Sequence, residues 1–180
     1  LDEALRMRTS VRAFTNAAVS EEQVREILDV ARFAPSGGNL QPWRVIAVVG
    51  KARDDVVEVA KANLPGAEDD RPVYPADLWE PYRSRRFKVG EDMYALLGIP
   101  RENKMARLAH LARNFEFFGA PVGLFFVIDR RMGHGQWAHL GMFMQSVALV
   151  ATARGFATCM QEAWARLRAP LHAHFALDPN

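Results

Sequence analysis

The chain has 180 residues, enough for one domain at roughly 150 residues per domain and long enough to bury about 70% of its unfolded surface. Hydrophobic residues make up 49% and charged residues 24%, which excludes wholesale disorder. A formal charge of +2 is too small to argue for nucleic acid or an anionic membrane. The single cysteine, Cys159, excludes an internal disulfide and any multi-cysteine metal site. The longest uncharged apolar run, Phe117 to Ile128, carries Gly119, Pro121 and Gly123 and is too short to span a bilayer. The opening Leu1-Asp2-Glu3 has no basic and hydrophobic leader pattern. The expectation is one cytoplasmic domain over 1–180, with neither membrane nor nucleic acid as partner.

Taken in chain order, Ser20 with Gln23 three residues on forms a capping box. Val24, Ile27, Leu28 and Ala31 follow at helical spacing, and Pro35 closes that helix. Val45 to Val49 is a continuous β-branched run ended by Gly50, which predicts a buried strand. Val56, Val57, Ala60 and Leu64 predict a second helix stopped by Pro65. Residues 65–82 interleave Pro65, Pro72, Pro75 and Pro81 with Tyr74, Trp79 and Tyr82, a density of prolines that excludes a long helix and suits an ordered lid. The charges from Arg83 to Lys88, flanked by Glu80, Glu91 and Asp92, suit a solvated helix better than a nucleic-acid surface. Met105, Leu108, Ala109, Ala112 and Phe115 predict a further helix, Pro121 to Ile128 a second buried strand, and Gln136 to Arg154 an apolar helix with Gly155 as its left-handed cap. Several helices with few strands make the chain α+β or α/β.

The common nucleotide signatures are missing. A phosphate loop ending at Gly50-Lys51 would need glycine at 45 and Ser or Thr at 52, where Val45 and Ala52 stand. Gly133 and Gly135 have no third glycine to complete a dinucleotide fingerprint. His134 and His139 are five apart and do not share a helix face, so no metal is expected, and Cys159 lacks an adjacent base and reads as a buried thiol.

Three segments ask for more than a plain structural reading. In an extended Arg8-Thr9-Ser10-Val11-Arg12-Ala13-Phe14, residues Arg8, Ser10 and Arg12 point the same way, two guanidinium forks around a hydroxyl that suit a phosphate monoester. The plainer reading is a solvated basic stretch after a short helix. Ala34-Pro35-Ser36-Gly37-Gly38-Asn39-Leu40-Gln41-Pro42-Trp43 offers close backbone approach at its glycines and neutral donors and acceptors at Ser36, Asn39 and Gln41; a self-satisfied tight turn is the alternative. Gly155 to Trp164 reads as a strand-like piece entering a new helix whose first amides are free donors, or as an ordinary connection with Glu162 as a helix-start acid.

Together, in this order, the segments resemble the nitroreductase superfamily of FMN-dependent oxidoreductases. Arg8-x-Ser10-x-Arg12-x-Phe14 is similar to its phosphate motif, Pro35-Ser36-Gly37-Gly38-Asn39-x-Gln41-Pro42-Trp43 to its most specific signature, and Gly155-Phe156-Ala157-Thr158-Cys159 to the strand before the loop over the flavin. The stretch from Met132 to Gln145 resembles a nitroaromatic or nitrobenzoate reductase subgroup. The resemblance implies an α+β fold with a small central mixed or antiparallel sheet surrounded by helices, in an interlocked homodimer with the flavin at the subunit interface. It implies that Arg8, Ser10 and Arg12 hold the FMN phosphate and ribityl oxygens. Pro35, Ser36, Gly37 and Asn39 reach the same flavin from the partner subunit, and Gln41 touches the ring edge or ribityl chain. Met160, Gln161 and Glu162 form the loop at the ring, with the Glu162 amide near N5. Arg83 and Arg86 are candidates for flavin or nicotinamide phosphate. NADH or NADPH is the implied electron donor, and nitroaromatics, quinones or similar flat electrophiles the acceptors, in a ping-pong cycle needing no side-chain acid or base. Relatives of this kind continue past a position like Asn180 with a further strand, a Gly-rich segment, a basic residue and an arm to the partner, and a proline is common where Met160 stands. Alternatives are the same fold with other flavin chemistry (enone reduction, dehalogenation, flavin degradation) or a non-catalytic dimeric module.

Overall fold

The computed structural model describes residues 1–64 and 73–178. Seven helices and one antiparallel pair of strands make up the regular structure among these residues: α1 (Asp2–Met7), α2 (Glu21–Ala31), β1 (Trp43–Val49), α3 (Gly50–Asn63), α4 (Tyr82–Leu96), α5 (Lys104–Ala112), β2 (Val122–Ile128), α6 (His134–Ala153) and α7 (Arg168–His174). Short 3-10 turns cover Gly37–Asn39, Arg113–Gly119 and Ala163–Leu167.

Local chemistry starts α2 and stops α6 where the sequence predicts. Ser20 Oγ accepts from the Gln23 amide at 3.1 Å while Gln23 Oε1 accepts from the Ser20 amide at 2.8 Å, so two orphan donors of α2 are satisfied at once. At the end of α6, Gly155 takes φ +81°, its amide donates to Thr152 and the Phe156 amide reaches back to Ala151, the double bond of a Schellman cap.

The antiparallel register pairs Trp43 with Ile128 and Val49 with Val122, and the two faces of the pair are told apart by alternation. Trp43, Val45, Leu124, Phe126 and Ile128 pack against a cluster of Ile27 and Ala31 from α2 with Leu140, Phe143, Val147 and Ala151 from α6. Trp43 stacks on Phe143 with ring centroids 4.6 Å apart. The opposite face carries Ile46, Val48 and Phe125 into a second cluster with Val56, Val57 and Ala60 of α3, Phe117, Trp164, Leu167 and Leu171. Both faces are covered by helices, which is why the strands read as unbroken apolar runs. Only Val48 and Gly123 within the strands are buried, however, so the expectation of two buried strands holds for both faces only in part. Gly123 has a specific reason to be glycine: a Cβ there would stand 2.5 Å from Phe117 Cε1.

Two expectations are corrected. Phe115 lies in the 3-10 turn after α5 rather than in the helix, because Arg113–Gly119 departs from helical backbone. Residues 155–159 form no strand ladder; Thr158 makes an isolated parallel bridge with Ser10. The ordered pairing is therefore a two-stranded antiparallel sheet. Of the expected lid, Pro65 and Pro72 lie outside the described residues, and α4 begins at Tyr82.

Candidate functional site

The first and third motifs meet. The Ser10–Thr158 bridge, reinforced by the Val11 amide donating to the Thr158 carbonyl at 3.0 Å, lays the Arg8–Arg12 segment beside the residues leading to Met160–Glu162. Three residues on, the Phe14 amide donates to the Phe118 carbonyl at 3.4 Å. Arg12 folds back so that Nη1 donates to the Ser10 carbonyl at 3.2 Å, and its guanidinium lies 6.0 Å from the centroid of the Phe118 ring. Arg113 approaches the same ring at 5.8 Å. Among the described residues none of Arg8, Arg12 and Arg113 has a carboxylate partner, while the solvated Arg83 and Lys88 and the part-buried Arg107 are paired with Glu80, Asp92 and Glu91. Unneutralised guanidinium groups on partly covered surface are the donor set a phosphate or another anionic group calls for.

Beneath Phe118 lies His110, buried at 6% exposure, tilted on Phe118 at 5.7 Å and edge-on to Tyr94 at 6.1 Å. Its Nε2 has no partner among the described residues. Burial first, then the neighbouring Arg113 and Arg12, hold its pKa below the ordinary 6.5, so the ring stays neutral under this positive patch. Cys159 is half-buried and burial pushes its thiol up, which fits the inert thiol expected of it.

In the third segment, the side chain of Gln161 is committed inside the protein. Its Nε2 donates to the Asn114 carbonyl at 3.0 Å and to Asn114 Oδ1 at 3.2 Å, and its Oε1 accepts from Trp164 Nε1 at 3.3 Å. The main-chain amides of Met160, Gln161 and Glu162 donate to no acceptor among the described residues, which leaves them as a row of free donors. Met160, Gln161 and Glu162 border a hollow of about 1070 Å³ together with Phe14, Thr158 and Phe126. Arg8, Ser10 and Arg12 do not line it.

The second motif is built separately. Ser36 accepts twice, from the Asn39 amide at its carbonyl and from the Gln41 amide at Oγ, both at 2.9 Å. Gly38, Asn39 and Gln41 all take positive φ, at 62°, 53° and 46°, a conformation cheap for glycine and tolerated by asparagine. The Gly37 amide donates to His139 Nδ1 at 3.3 Å, and that nitrogen also lies 3.1 Å from Gln136 Oε1. A Cβ on Gly37 would come within 3.0 Å of the His139 ring. The loop is thus buttressed by α6, and no hydrogen bond among the described residues joins it to the Arg8–Arg12 segment.

A sequence profile described as the nitroreductase family matches residues 5–180. The chain belongs to the nitroreductase family. It is 38% identical over 168 residues to a nitrobenzene nitroreductase of Ectopseudomonas oleovorans, covering 91% of this chain and 74% of that protein. It is 36% identical to a 4-nitrobenzoate reductase of Pseudomonas putida, covering 99% of this chain and 79% of the relative. Among solved structures, the FMN- and NADPH-dependent nitroreductase NfnB from Sphigopyxis sp. strain HMH superposes with a TM-score of 0.95 at 42% identity, over 99% of this chain and 82% of that one. The FMN-dependent NfnB from Mycobacterium smegmatis, in complex with NADPH, superposes with a TM-score of 0.90 at 28% identity, over 98% and 81%.

Three residues of this family member were not singled out from sequence. Arg113 and Asn114 follow a regular helical pattern and read as its last turn. The one local hint is Phe118-Gly119 before Pro121, where a helix has to break. His139 reads from sequence only against a metal-ligand role, and its contact with Gly37 spans 102 positions, which no local pattern reports.

Proposed function

We propose that this protein is an FMN-dependent oxidoreductase that takes reducing equivalents from NADH or NADPH and passes them to nitroaromatic, quinone or similar flat electrophilic acceptors by a ping-pong cycle. The observation that carries the reading is the Ser10–Thr158 bridge, which sets an arginine segment without carboxylate partners beside a loop of free amides. Likeness to an FMN- and NADPH-dependent nitroreductase over 99% of the chain supports it.

When bound, FMN supplies the chemistry, accepting and giving hydride at ring N5. The protein's own residues bind and orient. Arg8, Ser10 and Arg12 hold the phosphate and ribityl oxygens through charge-assisted bonds. Met160, Gln161 and Glu162 would present main-chain donors to the ring, the Glu162 amide toward N5, where a fixed donor would stabilise negative charge without reorganisation. Gln161 contributes through its backbone, since its side chain is spent on Asn114 and Trp164. Pro35, Ser36, Gly37, Asn39 and Gln41 serve the flavin of a partner subunit, which fits their separation from the arginine segment. Exposed Phe33, Leu40, Leu5, Met7, Trp137 and Met142 are the apolar surface a homodimer would cover. Tyr74, Trp79 and Tyr82 form an aromatic lid for flat acceptors, with Trp79 59% exposed and edge-on to Tyr82 at 5.5 Å. We read the chain as a single cytoplasmic domain; none of its described helices is long and apolar enough to cross a membrane.

The test is a visible spectrum of the purified protein before and after denaturation, followed by NADH and NADPH oxidation with 4-nitrobenzoate. Near-stoichiometric FMN released on unfolding, and acceptor-dependent turnover, are expected. A protein that stays colourless after incubation with FMN would overturn the reading.

A further inference from the structure

We propose that Asn114 is a positioning residue for the loop 160–162, acting by clasping the Gln161 side chain so that the loop's free amides keep one orientation. The inference rests on the flavin reading above and deepens it. A primary amide has two N–H donors, and both of those on Gln161 are taken by one residue, through the main-chain carbonyl and the side-chain oxygen of Asn114. The clasp is the middle of a chain of four groups. Asn114 Nδ2 donates to the Leu111 carbonyl at 2.9 Å at the end of α5, and Trp164 Nε1 closes the far end on Gln161 Oε1. A partly buried polar network in which each member is satisfied is rigid and specific.

The anchor of this chain cannot drift. Asn114 sits on the turn Arg113–Gly119, where Phe117 and Phe118 both hold φ near +52°. Two consecutive aromatic residues in the left-handed region cost on the order of 1–3 kcal/mol each, and such strain persists only where the surroundings over-determine it, typically at functional sites. The surroundings here are explicit. Phe117 stacks on Trp164 at 4.6 Å and covers Gly123, Phe118 is 1% exposed, Arg53 Nη2 donates to the Glu116 carbonyl at 3.2 Å, and Phe14 bonds the Phe118 carbonyl. The same strained turn therefore carries the Arg12 segment at one end and the 160–162 loop at the other. Its function is to keep the two at a fixed separation.

The test uses the full chain loaded with FMN, comparing Asn114→Ala, Gln161→Met and the double variant Asn114→Ala/Gln161→Met. The readouts are the visible circular dichroism of the bound flavin, the FMN dissociation constant, and the rate of flavin reduction by NADPH measured apart from its KM. Loss of the clasp is expected to alter the flavin dichroism, weaken FMN binding about fivefold and slow reduction with little change in KM. Because the two single variants share the bond from Gln161 Nε2 to Asn114 Oδ1, losses in the double variant should be less than the sum of the single ones. Should Asn114→Ala fail to fold, Gln161→Met still tests the clasp: it removes both bonds to Asn114 and the one from Trp164 while leaving the Asn114–Leu111 bond intact. Wild-type dichroism and reduction rate in both single variants, or strictly additive losses in the double variant, would overturn the positioning role alone. A wild-type protein that takes up no FMN would overturn it together with the flavin reading.

Discussion

Replacing Gly123 with alanine puts a methyl carbon where the Phe117 ring already lies, with Cε1, Cζ and Cδ1 at 2.5, 2.8 and 3.0 Å. A ring at the end of a side chain can swing away when its surroundings are open, but this one is 6% exposed, stacked on Trp164 and edge-on to Phe125 at 5.9 Å. Its own backbone is held in the left-handed region, so relief through φ and ψ is closed as well. Overpacking of this kind costs about 1–3 kcal/mol. At about 2–4 °C per kcal/mol for a chain of this size, the melting temperature of Gly123→Ala should fall by about 2–12 °C. Thermal unfolding of the FMN-free protein followed by far-UV circular dichroism measures this directly. A second substitution, Phe117→Leu, makes the room that alanine needs, and in the Gly123→Ala background it should cost much less than it does alone. An unchanged melting temperature for Gly123→Ala, or strictly additive losses in the double variant, would refute the claim that the strained turn is pinned by this contact.

Other outcomes follow from the same geometry. Arg12→Met should weaken FMN binding by about 10–100-fold, the worth of a charge-assisted bond or two, and leave riboflavin affinity nearly unchanged; equal losses for both ligands in fluorescence titrations would move Arg12 away from the phosphate. Trp79→Ala should raise the acceptor KM severalfold at constant FMN content, and steady-state kinetics with unchanged acceptor parameters would remove the lid. His110 has a folded pKa below the ordinary 6.5, so under acid conditions the unfolded chain binds a proton that the native state refuses. Stability should accordingly fall as pH drops below about 6.5, and His110→Leu should flatten that fall between pH 7.5 and 5. Parallel melting curves of the two proteins across that range would show that His110 is not the group responsible.

Much of the candidate site was legible because its motifs carry their chemistry locally. Alternation alone puts Arg8, Ser10 and Arg12 on one side of an extended segment, and two glycines with Ser36 and Asn39 define a loop whose backbone can be approached. The order of the three segments along the chain was enough to suggest the family. What the segments do to one another was not legible. The bridge from Ser10 to Thr158 and the buttress from His139 to Gly37 join residues more than 100 positions apart, and neither leaves a mark at either end. The expected strand over 155–159 fails for the same reason, since a ladder needs a partner and Thr158 alone finds one.

By itself, the sequence determined the helix limits at Ser20 and Gly155, where capping is a matter of a few neighbouring hydrogen-bonding groups, and the two-faced apolar strands, whose period is set by the pleat. It also determined the residues available to an anionic cofactor. Only the tertiary structure decided that the end of α5 abandons helical geometry. The local preferences of Phe117 and Phe118 oppose positive φ, and what outweighs them is packing against Gly123, Trp164 and Arg53 from other parts of the chain. The turn so formed carries Asn114 to Gln161 and Arg113 to the ring that Arg12 covers. No local rule contains those contacts, because each is the sum of burial terms from elements that meet only once the core has closed.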